Sequence, residues 1–87
     1  MLDPDDKNKF LNDLYKNYTI SKLNKLEAKH FECIYLENKE YVVCVSNHYE
    51  NKTATFTKTN KKTKAWDSLI IEKEIYKNIL SHFSSKN

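Results

Sequence analysis

The sequence predicts one α+β domain over residues 1–87, in which helices pack on one face of a three-stranded antiparallel meander. Two observations carry this prediction. Apolar residues recur at helical spacing near both ends of the chain, whereas they alternate with a period of two between residues 31 and 59. Helices that flank a strand-rich centre are typical of a sandwich with its helices on one sheet face.

The first helix is predicted over residues 4–17. Asp3 is a suitable N-cap, and Pro4 occupies the first helical position, where its missing N–H is not needed. Residues on one stripe give this helix its apolar face: Phe10, Leu11, Leu14, Tyr15 and Tyr18. We therefore expect this helix to pack on the sheet through that stripe.

Two further helices are predicted from capping residues and spacing. Thr19 and Ser21 can cap a short second helix, whose apolar positions are Leu23, Leu26 and Ala28. The C-terminal helix is predicted over residues 66–83, with Asp67 as its cap. A broad apolar face supports it: Ile71, Ile75, Tyr76, Ile79, Leu80 and Phe83.

The strands are predicted at residues 31–36, 41–45 and 53–59. A two-residue turn of Asn38 and Lys39 would join the first two strands, because asparagine tolerates the left-handed backbone region. One face of this hairpin is slightly more apolar than the other, and we expect it to meet the helices: Ile34, Leu36, Tyr41, Val43 and Val45. The opposite face is also apolar, which predicts that a further segment or a partner covers it.

Cysteine usage indicates free thiols in preference to a disulfide. In the predicted register Cys33 and Cys44 form a hydrogen-bonded pair, whose wider Cα spacing suits a disulfide less well. The chain begins without a basic and apolar leader, so we expect the cytoplasm of a host cell, where thiols stay reduced. A zinc site that adds His30 and His48 is not expected, because the two imidazoles fall on opposite sheet faces.

Composition excludes several classes of function. The chain has no glycine, and all fifteen of its basic side chains are lysine. Glycine-rich loops that bind nucleotide phosphates are therefore excluded. No group of residues fulfils the geometric tests for catalysis, so we expect neither an enzyme nor a cofactor. No apolar run reaches the ~20 residues of a membrane-spanning helix.

Positive charge is concentrated after residue 50. The segment 51–64 contains lysines and no acidic residue, and the junction between the last strand and the last helix is predicted to carry most of them. Ammonium groups beside the amides of a helix start suit phosphates. The candidate binding residues are these lysines together with two tyrosines that could serve as anchors: Lys52, Lys58, Lys61, Lys62, Lys64, Tyr41 and Tyr49.

Two segments resemble the double-stranded RNA-binding domain. Residues 19–26 are similar to that family's first-helix phrase, and residues 56–64 resemble its third strand and lysine motif, with Thr63 and Lys64 at the family's Ser-Lys. The resemblance implies a helix, three strands, a helix and contact with an RNA backbone. The family's Gly-Pro-x-His loop has no counterpart here, a departure typical of members that bind protein.

These observations lead to two hypotheses of function. The first is a binding protein that contacts nucleic acid backbones through the lysines, independently of base sequence. The alternative is a phage- or plasmid-type protein that inhibits a host defence or nucleic-acid-processing enzyme by docking on an acidic or nucleic-acid-binding surface. Neither hypothesis involves a membrane, and both leave a homodimer open.

Overall fold

The computed structural model describes residues 4–26, 31–48 and 50–84. Its elements follow one another along the chain in this order: α1 (Pro4–Asn17), β1 (Thr19–Leu26), β2 (Phe31–Glu37), β3 (Tyr41–His48), β4 (Thr53–Asn60), β5 (Trp66–Glu72) and α2 (Lys73–Ser84). The strands form one antiparallel sheet in the order β1-β2-β3-β4-β5. The prediction of a three-stranded meander is therefore wrong, because one more strand is added at each edge.

The segment predicted as a short second helix forms the edge strand β1. The hydroxyl groups of Thr19 and Ser21, which were expected to cap a helix, donate instead to the main-chain carbonyls of Glu37 and Tyr35, at 3.5 and 3.2 Å. Pairing with β2 explains the difference, since backbone groups beside an open strand gain ladder partners. The predicted continuation to Ala28, like the predicted cap Asp3, lies outside the described residues.

A β-bulge explains why β1 has the sequence spacing of a helix. Ile20 lies opposite Leu36 and Leu23 lies opposite Ile34, and the register shifts between Ile20 and Lys22. The extra residue places Ile20 and Leu23 on the same sheet face although they are three positions apart. A three-residue apolar spacing, which is typical of a helix, therefore also fits a bulged strand.

The second correction concerns the start of the C-terminal helix. Residues 66–72 form β5, and α2 begins at Lys73. The consecutive apolar residues Leu69, Ile70 and Ile71 supply side chains to both faces of a strand, and isoleucine favours extended backbone. Asp67, predicted as the helix cap, lies within β5, where its carboxylate accepts a hydrogen bond from the Ser68 N–H at 3.0 Å.

The β2–β3 hairpin is confirmed, but its predicted register is wrong. Tyr35 lies opposite Cys44, two positions away from the expected pairing. The Asn38 side chain is the reason, because its Oδ1 accepts hydrogen bonds from the N–H groups of Glu40 at 2.9 Å and Tyr41 at 2.8 Å. Asn38 thus begins the turn instead of occupying its centre. A shift of two residues leaves every side chain on its expected face.

The core lies between one face of the sheet and the two helices. The hairpin face that was expected to meet the helices does so: Ile34, Leu36, Val43 and Val45 are buried, and Tyr41 packs against them half-buried. Helical side chains complete this core: Leu11, Leu14, Ile75, Tyr76, Ile79 and Phe83. Neither described helix is long and apolar enough to cross a membrane.

Truncation of Ile34 should test the core. Ile34 is 0% exposed in β2, so Ile34→Ala is expected to lower the free energy of unfolding by about 2–5 kcal/mol through lost burial and a residual cavity. Chemical denaturation followed by circular dichroism measures the loss. Thr55→Ala on the opposite, exposed face is the control, and an equal effect of both substitutions would contradict this location of the core.

Candidate functional site

Most of the predicted binding residues lie at one end of the sheet, where the β2–β3 and β4–β5 turns are neighbours. They are Tyr41, Lys58, Lys61, Lys62 and Lys64. Lys52 precedes the other end of β4 and is separated from them by the length of that strand. Tyr49 lies outside the described residues. Because the lysines lead into β5, the amides of a helix start do not contribute to this site.

An open groove of about 350 Å³ lies at this end of the sheet, and we call it the turn groove. Its lining comes from β3, β4, the β4–β5 turn and β5: Tyr41, Lys58, Asn60, Thr63, Ala65, Trp66 and Asp67. Phe56, the buried β4 residue two positions before Lys58, contacts Phe10 of α1 with ring centroids 4.9 Å apart. Beyond this contact Lys58 is only half-buried and Asp67 is exposed, which leaves the groove accessible.

Lys58 and Tyr41 form the centre of the turn groove. The Lys58 ammonium lies 4.1 Å from the centroid of the Tyr41 ring, within cation–π distance. Lys58 also lies directly opposite Asp67 across the β4–β5 pair. The aromatic face of Tyr41 attracts the ammonium and holds Lys58 in place.

The charge of Lys61 is partly compensated by a carboxylate. Its Nζ lies 3.1 Å from the Glu37 carboxylate, and both side chains are more than a third exposed. Such a surface ion pair contributes about 0–1 kcal/mol to stability. Its importance for the site is electrostatic, because the potential of Lys61 falls off faster when a carboxylate adjoins it.

Asn60 determines the shape of the β4–β5 turn. Its Oδ1 accepts hydrogen bonds from the N–H groups of Lys62 and Thr63, both at 2.9 Å, and its carbonyl accepts one from Lys64 at 2.9 Å. Lys64 has a φ of 66°, which costs a residue with a Cβ about 1–2 kcal/mol. The turn leaves the side chains of Lys62 and Lys64 exposed.

Side chains of both charges lie around the turn groove. The two turns and the strand ends that flank them carry these charged residues: Lys39, Lys58, Lys61, Lys62 and Lys64 with Glu37, Glu40 and Asp67. A second open groove, also about 350 Å³, lies between Lys39 and Glu40 of one turn and Lys61 and Lys62 of the other. The site therefore carries both signs of charge, with more lysines than carboxylates.

A smaller cavity of about 290 Å³ lies between the sheet and α2, and sequence reasoning missed it. Tyr76 donates a hydrogen bond from its hydroxyl to the Glu32 carboxylate at 3.3 Å, and both residues are buried. Asn47 also lines the cavity. The alternation along β2 could have identified Glu32 as a lining residue. Glu32 lies two residues before Ile34 and therefore points to the sheet face that the helices cover.

The two cysteines meet on the sheet face away from the helices. Both are free thiols, and their Sγ atoms lie 2.8 Å apart although the residues are diagonal neighbours in the ladder. The hydrogen bond with Cys44 lowers the pKa of Cys33 to about 7, and the same bond raises the pKa of Cys44. Hydrogen bonding to Cys33 raises the pKa of Tyr35 to about 12. Among the described residues, no group of three or more potential metal ligands forms.

Comparison of the chain with protein-family models, with curated proteins and with solved structures found no match. The site must therefore be interpreted from its own geometry. The segments that resemble the double-stranded RNA-binding domain form β1 and the β4–β5 turn region, and the element order differs from the one that the resemblance implies. Residues 19–26, in particular, form a strand where the family has a helix.

Sequence reasoning missed Trp66, Asp67 and Glu37 as members of this site. Trp66 and Asp67 were expected to begin a helix, which would have directed them away from Lys58. Glu37 was not among the candidate residues, and only the β2–β3–β4 register shows that Lys61 reaches it. The missing signal is long-range strand pairing.

The thiol pair provides a test of the structure at the open sheet face. Ultraviolet absorbance of the thiolate should rise with a midpoint near pH 7 as Cys33 ionises. Cys44→Ala should move that midpoint upward, because the donor that stabilises the thiolate is removed. Cys33→Ala is the matched control and should abolish any thiol titration near neutral pH. An unchanged midpoint in Cys44→Ala would contradict the contact.

Proposed function

We propose that this chain is a non-catalytic protein-binding domain that docks through the turn groove and its flanking lysines on a partner-protein surface that carries both acidic and basic side chains. One observation carries the proposal: Glu37, Glu40 and Asp67 are interleaved with the lysines of the site. A protein surface presents both signs of charge and can complement such a pattern.

A nucleic acid backbone complements this pattern less well. Every phosphate carries the same negative charge, so each carboxylate in the contact area is repelled. Lys61, moreover, already has a neighbouring carboxylate in Glu37. Lys61 loses part of its attraction for a polyanion, while a partner protein can offer a basic side chain to each carboxylate of the site.

The aromatic residues of the site favour protein recognition as well. Tyr41 and Trp66 both line the turn groove, and Trp66 is 69% exposed. Tyrosine and tryptophan are enriched among the residues that contribute most to protein–protein affinity. An apolar ring beside ion pairs gives the site both an anchor and a polar rim.

Nucleic acid binding remains the second candidate, and one observation favours it. Lys62 and Lys64 project from the turn, are exposed, and have no ion-pair partner among the residues that the structure describes. They could contact phosphates without involving the carboxylates. The more specific hypothesis, that the chain is a phage- or plasmid-type inhibitor of a host enzyme in the cytoplasm, stays a prediction about the identity of the partner.

Charge reversal at the turn should separate these candidates. The tagged chain is used to isolate its partner from an extract of the native host that has been treated with nuclease, and Lys62→Glu is expected to reduce capture about tenfold at low salt. Quantitative mass spectrometry of the captured proteins measures the change. The matched control is Lys52→Glu, which makes the same charge change at the far end of β4 and should leave capture unchanged.

Direct titration with duplex and single-stranded RNA and DNA completes the test. Under the proposal, these ligands bind weakly and do not compete with the captured protein. Capture that disappears with nuclease treatment, together with tight oligonucleotide binding that Lys62→Glu abolishes, would establish the second candidate instead. Equal loss of capture in Lys62→Glu and Lys52→Glu would show that the turn groove is not the docking site.

A further inference from the structure

We propose that a second copy of this chain pairs with the outer edge of β5, so that two sheets join into one across a two-fold axis. β5 is an edge strand that pairs only with β4 in the described sheet. Its first five residues are all exposed, and Trp66 and Ile70 are 69% and 61% exposed. Exposed apolar edge strands are templates for pairing with another chain.

The two edges of the sheet differ in a way that singles out β5. The opposite edge, β1, carries a bulge and the exposed Lys22, which are two of the devices by which proteins prevent edge pairing. β5 has a regular register with β4, contains no lysine and no proline, and shows no bulge. Between these two edges, β5 therefore combines an apolar surface with a regular backbone edge.

The backbone of β5 presents its hydrogen-bonding groups outward at alternate residues. The Asn60 N–H donates to the Ala65 carbonyl at 2.8 Å, which directs the backbone of Ala65 toward β4. Because direction alternates along an antiparallel strand, the N–H and C=O groups of Trp66, Ser68 and Ile70 point to the outer edge. Those three residues can form ladder hydrogen bonds with an added strand, for which the Ser68 N–H exchanges its hydrogen bond to the Asp67 carboxylate.

The side chains of β5 match a second β5 in one antiparallel register. When Ser68 lies opposite its own copy, Trp66 lies opposite Ile70 of the second copy, and the two-fold axis repeats this pair. An aromatic residue opposite a β-branched one is a favourable cross-strand pair. The pairing would cover the two most exposed large apolar side chains in the described part of the chain.

Charge complementarity selects the same register. In it Lys64, in the turn two residues before Trp66, comes to the end of the second β5 where Glu72 lies, and this approach is also repeated. Neither residue has an ion-pair partner within the described residues. Opposite charges placed across a pair of strands attract, whereas like charges repel. The β5 strand of a second copy therefore complements both the ends and the centre of β5.

The association state of the purified chain tests this inference. Sedimentation over a concentration series should show a monomer–dimer equilibrium. Lys64→Glu and Glu72→Lys should each weaken the dimer about tenfold, because each brings like charges together twice. The double variant should restore dimerisation, since it exchanges the two charges. Thr55→Lys, on the exposed face of the central strand β4, is the control and should have no effect.

A backbone variant tests the edge itself. Ser68→Pro removes an outward N–H and leaves the backbone hydrogen bonds to β4 in place, although it also removes the side-chain hydrogen bond to Thr57. It should give a folded monomer by circular dichroism and sedimentation. A chain that stays monomeric at every concentration would overturn the inference, as would a dimer that none of these substitutions weakens. A monomer whose partner capture is lost in Ser68→Pro would show that a foreign strand occupies β5, which also overturns it.

The outcome is separable from that of the proposed function. The docking test uses Lys62, which lies outside the paired segment. A dimer that forms without any partner capture would leave this inference standing and reject the proposed function. A chain that captures a partner but stays monomeric in sedimentation would support the proposed function and reject this inference.

Discussion

Burial of one sheet face against α1 and α2 determines where every other feature of this molecule lies. The side chains that seal this contact, such as Ile34, Val45 and Ile79, are completely buried. Removal of apolar surface from water is the dominant favourable term for a domain of this size. Since the helices cover that face, the β5 edge and the end of the sheet near the turns remain accessible.

The sequence predicts this burial better than it predicts the strands that take part in it. Period-two alternation identified β2, β3 and β4 and the face that meets the helices, because both properties depend on local order. β1 and β5 were misassigned for physical reasons. In β1 a bulge gives Ile20 and Leu23 a helix-like spacing, and in β5 the apolar run from Leu69 continues in phase with the apolar stripe of α2. Edge strands owe their conformation to a neighbour that the local sequence does not reveal.

The candidate site shows the same division between local and long-range information. Tyr41 and the lysines could be identified from composition, and the structure brings most of them to one end of the sheet. The neutralising contact between Lys61 and Glu37 could not be identified from composition, because it forms across two strand pairings. This compensation changes the interpretation of the site, since isolated ammonium groups suit phosphates whereas paired ones suit a surface that carries both charges.

The two proposed contacts use different chemistry and reinforce one another geometrically. Docking at the turn groove depends on charged side chains and on Tyr41 and Trp66. Pairing at β5 depends on backbone groups and on Ile70 and Trp66, so the two contacts share Trp66. Antiparallel pairing centred on Ser68 places the two β4–β5 turns at opposite ends of the shared strand pair. A dimer would thus present two turn grooves facing apart, and a partner with two matching surfaces would gain affinity from simultaneous contact with both. The absence of glycine is consistent with such a rigid arrangement, because the β4–β5 turn is held by Asn60 instead of by a flexible residue.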